Sequence, residues 1–338
     1  MRHAARIGIL APTSLRRLTG QLTKASTMSD LSTRLWRHIH RASIRKVLDT
    51  PPIRTTADPV VLLTMLCHPD VLMYLVAIKT VFSRVRRGRI VILDDGSLTA
   101  TDRALLSSHL DGPEFIHIAD VPAPSTPRGS CWERLLTCVS LSRDNYVLQV
   151  DADLLALGEM PDVTDAITTN RSFTIGTPYG TRFVPFSEAA AFARSIEGNH
   201  IQLVAERALD SIAGHGAMRY VRGCAGFAAF ARGAVDPDFV PRISALMQER
   251  VGDRWNEWGT EQVTSNIVVA NSADSMVLPG DRYVNYRPSV YLGRQSLIHF
   301  MGPYRYYRGH YTRLSRACIR QMRSVPGARP AAVPETAR

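Results

Sequence analysis

The chain is almost without lysine: among 41 basic residues only Lys24, Lys46 and Lys79 are lysine, the rest being arginine. A formal net charge of +11 and a pI near 9.8 would suit nucleic acid or an anionic surface. The arginines are spread along the sequence, however, and read as a compositional bias, so no nucleic-acid partner is expected. Cysteine is also sparse. Cys67, Cys131, Cys138, Cys224 and Cys318 form an odd set with no Cys-x-x-Cys pair, which argues against a zinc site and a disulfide framework and points to a reducing compartment. No apolar run approaches the ~20 residues needed to span a bilayer. The basic N-terminus lacks the apolar stretch and cleavage site of a signal peptide, so a cytoplasmic protein is expected. Apolar residues themselves are plentiful, at 45% of 338, enough to bury a core the size of one large domain.

The most informative segment is Tyr146-Val-Leu-Gln-Val-Asp151-Ala-Asp153. Strand-forming residues run straight into two carboxylates one residue apart, and a period of two puts both side chains on one face at the strand's exit. Carboxylate oxygens suit Mg²⁺ or Mn²⁺, ions that keep positions open for phosphate oxygens. The implied chemistry is departure of a diphosphate whose charge a metal neutralises. Asp-x-Asp alone is weak evidence, because roughly one is expected by chance in a chain of this size. Asp236-Pro-Asp238 is a second one, without a preceding apolar strand, and reads as a turn or helix start.

From Asp58 onward, strands and helices alternate, the signature of an α/β sheet with parallel strands. Strands are expected at 60–66, 89–93, 114–118 and 146–150, with helices at 70–85, 99–110 and 132–141. Thr99 with Asp102 forms a capping-box start for the second helix. Asp94-Asp95 and Asp151/Asp153 both stand at carboxyl ends of strands, where open sheets of this kind bind ligands. In the second half, strands are expected at 173–176, 220–230 and 296–300, and helices at 186–196, 201–212, 241–251, 260–270 and 312–322. The domain organisation is read as a basic extension over 1–57, one catalytic domain over 58–323 and a disordered tail over 324–338. Residues 1–27 look disordered, or added ahead of a start at Met28. Leu31, Leu35, Ile39 and Ala42 recur at helical spacing among Arg34, Arg37, Arg41 and Arg45. That helix over 31–46 either packs on the main domain or makes peripheral contact with the inner face of a membrane.

Four further motifs follow in order: Glu133-Arg134-Leu135, the small-residue run Gly223-Cys-Ala-Gly226, Glu261-Gln262 with Asn266, and His299-Phe-Met-Gly302-Pro-Tyr-Arg305. With the Asp pair, this set resembles the GT-A glycosyltransferases, and most closely the retaining family 8 group that includes bacterial lipooligosaccharide galactosyltransferases and glycogenin. The resemblance covers about residues 60–310. It implies a GT-A fold with a mostly parallel central sheet flanked by helices. It further implies that Asp151, Asp153 and His299 bind Mn²⁺ or Mg²⁺, the imidazole favouring manganese. Gly302 would admit backbone close to the diphosphate, and Arg305 stands where the family has a phosphate-binding lysine. The Pro-Trp that follows in the family is replaced here by Tyr306-Tyr307. Arg134 matches an arginine near the nucleotide, and Asp94 or Asp95 resembles the acidic position beside the base or ribose. Gln262 would position the sugar, with Glu261 a contact or base. The partners implied are a nucleotide-diphosphate sugar and a glycan, lipid-linked or protein acceptor.

Three alternatives stay open at this point: an inverting family 2-like enzyme, to which Asp94-Asp95-Gly-Ser is equally similar, with Glu261 or Asp253 as base; a nucleotidyltransferase, although Cys67-His68-Pro69-Asp70 is not the Gly-rich turn it would want; and a non-catalytic sugar-nucleotide binder. Trp132, Trp255 and Trp258 read as core or as walls of an acceptor cleft.

Overall fold

The computed structural model describes residues 30–324. The elements in order are α1 (Asp30–Ile44), β1 (Val60–Leu66), α2 (Val71–Val85), β2 (Arg89–Asp94), α3 (Ala100–Leu110), β3 (Glu114–His117), α4 (Trp132–Ser142), β4 (Tyr146–Val150), β5 (Leu154–Ala156) and α5 (Pro161–Thr168). They continue with β6 (Phe173–Ile175), β7 (Val184–Pro185), α6 (Phe186–Arg194), α7 (Ile201–Ala208), β8 (Arg219–Tyr220), β9 (Cys224–Phe230), α8 (Phe239–Val251) and α9 (Thr260–Asn271). The chain then forms β10 (Met276–Leu278), β11 (Tyr283–Asn285), β12 (Leu297–His299) and α10 (His310–Arg323).

The central sheet has seven strands in the order β10-β6-β9-β4-β1-β2-β3. All neighbours run parallel except β9, which is antiparallel to both β4 and β6. The expected α/β architecture, a mostly parallel sheet flanked by helices, is the one observed. β1 and β4 are buried along almost their whole length because helices cover both faces, which is why they read as apolar runs broken only by Thr64 and Gln149 rather than as alternating ones. Two apolar cores result: α2 and α10 lie over one face with Leu62, Leu148 and Phe227, while α4 and α9 lie over the other with Leu63, Val147 and Phe230.

The capping box at Thr99 and Asp102 forms as expected. Asp236-Pro-Asp238 is a turn running into α8, with the Asp238 N–H donating to Asp236 Oδ1 at 3.0 Å. The strand expected over 220–230 is broken: β8 pairs with β7 in a separate ribbon, and β9 starts only at Cys224. At the break, a side chain on Gly223 would press on Asn266 Oδ1, 2.7 Å from its Cβ, and the Asn266 amide donates to Gly223 O at 3.1 Å. The helices expected over 186–196 and 201–212 end early, at Arg194 and Ala208. β5, α5, β10 and β11 carried no signal strong enough to be expected; three of them are three-residue strands, too short for a period to register.

The disorder expected for residues 1–27 and for the tail lies outside the described residues, Ser324 apart. Helix α1 packs on α2 and α10. Trp36 fills the space a side chain on Gly309 would need, with Cη2 2.7 Å from that Cβ position, and His40 stacks on Tyr311 at 4.3 Å while its Nδ1 meets Thr312 Oγ1 at 3.1 Å.

Lys79, one of the three lysines, is buried on α2. Its ammonium reaches Thr50 Oγ1 at 2.8 Å, Pro51 O at 2.7 Å and His109 Nδ1 at 2.8 Å, tying the 50–53 segment to α3. Burial drives its pKa from 10.5 down to about 7. Between those values the unfolded chain binds the proton more tightly, so stability rises with pH across that window. Comparing unfolding free energies from pH 7 to 9, the wild type should gain up to about 1.4 kcal/mol per pH unit relative to Lys79→Met. Parallel profiles would show that Lys79 keeps its ordinary pKa.

Candidate active site

The chain changes sheets between β4 and β5, and the acidic pair sits in that change. The Asp151 N–H donates to Gly226 O at 3.0 Å, ending the β4–β9 ladder. Asp153 O accepts from the Phe300 N–H at 2.9 Å, opening the antiparallel pairing of β5 with β12. The two carboxylates therefore converge through a turn between sheets rather than through the pleat of one strand. His299, the last residue of β12, lies opposite Leu154 and is brought to the same point.

Three ligand atoms, one each from Asp151, Asp153 and His299, lie within 4.8 Å of one another. His299 Nε2 stands 3.1 Å from Asp153 Oδ1 and 3.9 Å from Asp151 Oδ2. The opposite oxygens are taken. Arg134 Nη1 donates to Asp151 Oδ1 at 2.6 Å, and Arg305 Nη2 to Asp153 Oδ2 at 2.6 Å. Each arginine thus fixes one carboxylate oxygen and leaves the other pointing inward. On the far side of the imidazole, Nδ1 lies 3.0 Å from Asn285 Oδ1 and 3.3 Å from Cys224 Sγ. A proton on Nδ1, donated to the Asn285 carbonyl, makes Nε2 the nitrogen that faces the carboxylates, the orientation a metal ligand requires once a metal displaces the Nε2 proton. Two carboxylates and an imidazole form a donor set that fits Mn²⁺.

Electrostatics follow from burial and pairing. Burial works against charge at all three groups. For Asp153 it is outweighed by His299 and Arg305, which hold the carboxyl below its ordinary range; for His299 it is outweighed chiefly by Asp153, which holds the ring's pKa well above 6.5. At Asp151 burial prevails over Arg134 and His299, and the carboxyl is raised. Glu261 is raised for the same reason against the pull of Arg134.

Arg134 and Glu261 meet because the first turns of α4 and α9 are pinned together: Trp132 Nε1 donates to Thr260 Oγ1 at 3.0 Å, and Trp132 packs edge-on against buried Trp255. Arg134 Nη2 contacts both Glu261 oxygens, at 3.3 and 3.2 Å. Gln262, half-buried beside β9, accepts from the Ala225 N–H at 3.4 Å. Gly302 begins the turn leading to Arg305 with φ of 61° and open space where a side chain would be. Trp258 is exposed.

Asp94 and Asp95 stand two strands away, at the end of β2. Asp94 is buried, accepts from the Gly96 N–H at 2.8 Å and pairs with Arg103. Asp95 is exposed and accepts from Ser97 N at 2.9 Å and Ser97 Oγ at 2.6 Å. Both hold the turn after β2, and neither joins the three-ligand cluster.

Asn285 and Cys224 escaped the sequence reading as site residues. Asn285 ends a three-residue strand without a motif, and it is linked to His299 only by the register of β11 on β12. Gly226, already visible in the small-residue run, has a structural reason: a Cβ there would stand on the His299 ring, 2.7 Å from Nε2. Gly226→Ala should therefore displace the imidazole, lowering stability by about 1–3 kcal/mol and removing any Mn²⁺-dependent rise in Tm. Adding His299→Ala should return the stability without the metal response. An unaltered Mn²⁺ response in Gly226→Ala would show that the ring is not a ligand.

No protein-family model and no curated protein matches the chain. Among solved structures it is similar to the apo bifunctional glycosyltransferase WbbM (14% identity, TM-score 0.45, covering 74% of this chain and 47% of that one). It is also similar to the galactosyltransferase LgtC in complex with donor and acceptor sugar analogs (14% identity, TM-score 0.49, 82% of this chain and 98% of that one). A third likeness is to core-mannan synthase A from Aspergillus fumigatus in its Mn/GDP form (9% identity, TM-score 0.38, 67% and 73%). The chain thus spans about half the length of WbbM. Likeness at these identities concerns the fold, and the chemistry has to come from the site.

Proposed function

We propose that the protein is a metal-dependent glycosyltransferase that moves a sugar from a nucleotide-diphosphate sugar to an acceptor hydroxyl. The observation that carries this reading is the convergence of Asp151 Oδ2, Asp153 Oδ1 and His299 Nε2, with the outer carboxylate oxygens held by Arg134 and Arg305. Asp151, Asp153 and His299 would hold Mn²⁺, which when bound neutralises charge developing on a departing diphosphate. Arg305 adds a permanent cation at the edge of the cluster, and the open backbone at Gly302 beside it admits phosphate oxygens closely. Gln262 is assigned to the sugar, at the β9 side of the site. Glu261, with both oxygens on Arg134, acts as a positioning residue rather than a base. That favours retention over inversion, because the carboxylate adjoining Gln262 is already engaged.

The acceptor is assigned to the side of the β6–α6 loop, where a cavity of about 510 Å³ is lined by Tyr179, Phe192 and Arg222, among others. That loop connects to the site: Thr177 Oγ1 donates to Arg222 O at 2.6 Å, and the Asn285 amide donates to Gly176 O at 3.3 Å while its carbonyl faces His299.

Thermal unfolding against UDP, GDP and CMP compounds, with and without Mn²⁺, tests the donor site. One nucleoside diphosphate should raise Tm only with the metal, by about 2.7 kcal/mol of stabilisation at a hundredfold excess over Kd. If no nucleotide raises Tm in the presence of Mn²⁺, the transferase reading fails. Given the donor thus identified, the anomeric signal of the released or transferred sugar, followed by NMR, reports retention or inversion.

A further inference from the structure

Helix α1 precedes the span that carries the site motifs, yet its inward face reaches the candidate active site through a row of aromatic rings. Phe300 follows His299, and its N–H donates to Asp153 O at 2.9 Å. Tyr311, the second residue of α10, stacks on Phe300 with ring centroids 4.6 Å apart. Its hydroxyl faces Ala152 O, between the two ligand aspartates, at 3.5 Å. His40 of α1 stacks on Tyr311 in turn, at 4.3 Å and 21°. The row from His40 through Tyr311 to Phe300 therefore ends against the backbone that carries Asp153 and His299.

The turn that delivers Arg305 depends on the same packing. Arg305 donates from Nε to Phe300 O at 3.2 Å and from Nη2 to Asp153 Oδ2 at 2.6 Å, so its aim follows the position of Phe300. Between Gly302 and α10 the backbone forms only two single turns, Gly302–Tyr304 and Tyr307–Gly309. It is left-handed at Gly302, Arg308 and Gly309. At Arg308 that conformation is unfavourable and persists only where the surroundings impose it. Helix α1 is what imposes it: Trp36 fills the space over Gly309, and Arg37 lies over the Tyr306 ring at 5.9 Å. Burial, aided by Arg305, lowers the His40 pKa from 6.5 to about 4, so the ring stacks uncharged. Its Nε2 is buried with no hydrogen-bond partner among the described residues, and beyond the contact of Nδ1 with Thr312 the ring offers chiefly its faces.

We propose that His40 and Trp36 are positioning residues of the donor site: through Tyr311, Phe300 and the 305–309 turn they hold Asp153, His299 and Arg305 at the spacing that takes Mn²⁺ and a diphosphate. The inference rests on the reading of that cluster as a metal–nucleotide site. Helix α1 is then a working part of the transferase, and the unit that binds donor begins at α1 rather than at β1.

The experiment compares full-chain variants by two affinities measured well below Tm: that for Mn²⁺, from the EPR signal of the free ion, and that for UDP or GDP in its presence. His40→Ala should weaken Mn²⁺ binding by about 10–100-fold although all three ligands remain. His40→Phe, which keeps a ring to stack on Tyr311, should recover most of that loss. Trp36→Ala should weaken the nucleoside diphosphate by about tenfold or more, because the turn it braces carries Arg305. Trp36 is only half-buried, so this variant carries the test should His40→Ala fail to fold. Ile44→Ala, one turn along α1 and buried in the apolar core, should lower Tm at least as far as His40→Ala and leave Mn²⁺ affinity at the wild-type value. Wild-type affinities in His40→Ala and Trp36→Ala, no recovery in His40→Phe, or an equal loss of Mn²⁺ affinity in Ile44→Ala would each overturn the proposal. A wild-type chain that binds no Mn²⁺ would bring down the donor-site reading itself, and this inference with it, whereas unaffected variants of a chain that does bind bring down this inference alone.

Discussion

Asp153→Ala should abolish the rise in Tm produced by Mn²⁺ with nucleotide and lower sugar transfer by about a thousandfold or more. The expectation rests on what the carboxylate does at once. Oδ1 faces His299 Nε2 at 3.1 Å and Oδ2 accepts from Arg305 at 2.6 Å, with only 5% of the side chain exposed. Removing it takes away one of three ligands and the charge that orients Arg305. The fold should survive, because the Arg305 side chain is 29% exposed and can turn to water, and the stability cost should be about 1–3 kcal/mol. Asp153→Asn keeps the shape and an acceptor for Arg305 but not the charge. It should fold better than Asp153→Ala and respond to metal no more. Asp236→Ala, in the other Asp-x-Asp, should leave the response intact. A metal-dependent shift retained in Asp153→Ala would return the acidic pair to turn chemistry.

The parts of this site that were legible in the sequence are those carried by long elements. Strand β4 announces itself by its run of strand-forming residues and delivers Asp151; α4 and α9 are long enough to place Arg134, Glu261 and Gln262 on helix first turns. What remained hidden depends on short elements paired across the chain. The strand over 296–300 is expected from the sequence, and the resemblance places His299 with the Asp pair, but β5 and β11, three residues each, are not expected, and their pairing with β12 sets Asp153 and His299 face to face and puts Asn285 behind the ring. No local pattern encodes such a pairing. Asp94 and Asp95 illustrate the opposite difficulty. An acidic pair at a strand end has two uses, turn capping and ligand binding, and here Gly96, Ser97 and Arg103 already occupy its oxygens.

The second large effect concerns Arg134, which bridges two carboxylates without belonging to the ligand set. Arg134→Met should destabilise the protein by about 3–5 kcal/mol, since it leaves Asp151 and buried Glu261 without their shared cation. At roughly 2–4 °C of Tm per kcal/mol this is readily measured. Glu261→Gln should cost less, because the guanidinium keeps its 2.6 Å bond to Asp151 Oδ1. Arg134→Met/Glu261→Met should regain part of the loss, as replacing both members of a buried pair by apolar groups removes the unpaired charge. Strict additivity would mean the two groups are not coupled. The same variants separate positioning from plain stability. Arg134 fixes Asp151 Oδ1 and so aims Oδ2 at the ligand point. Arg134→Met should therefore weaken Mn²⁺ binding by about 10–100-fold, although all three ligands remain. Glu261→Gln, which leaves Asp151 clamped, should bind Mn²⁺ nearly as the wild type does. Equal metal affinity in Arg134→Met and the wild type would confine Arg134 to the folding of the α4–α9 junction.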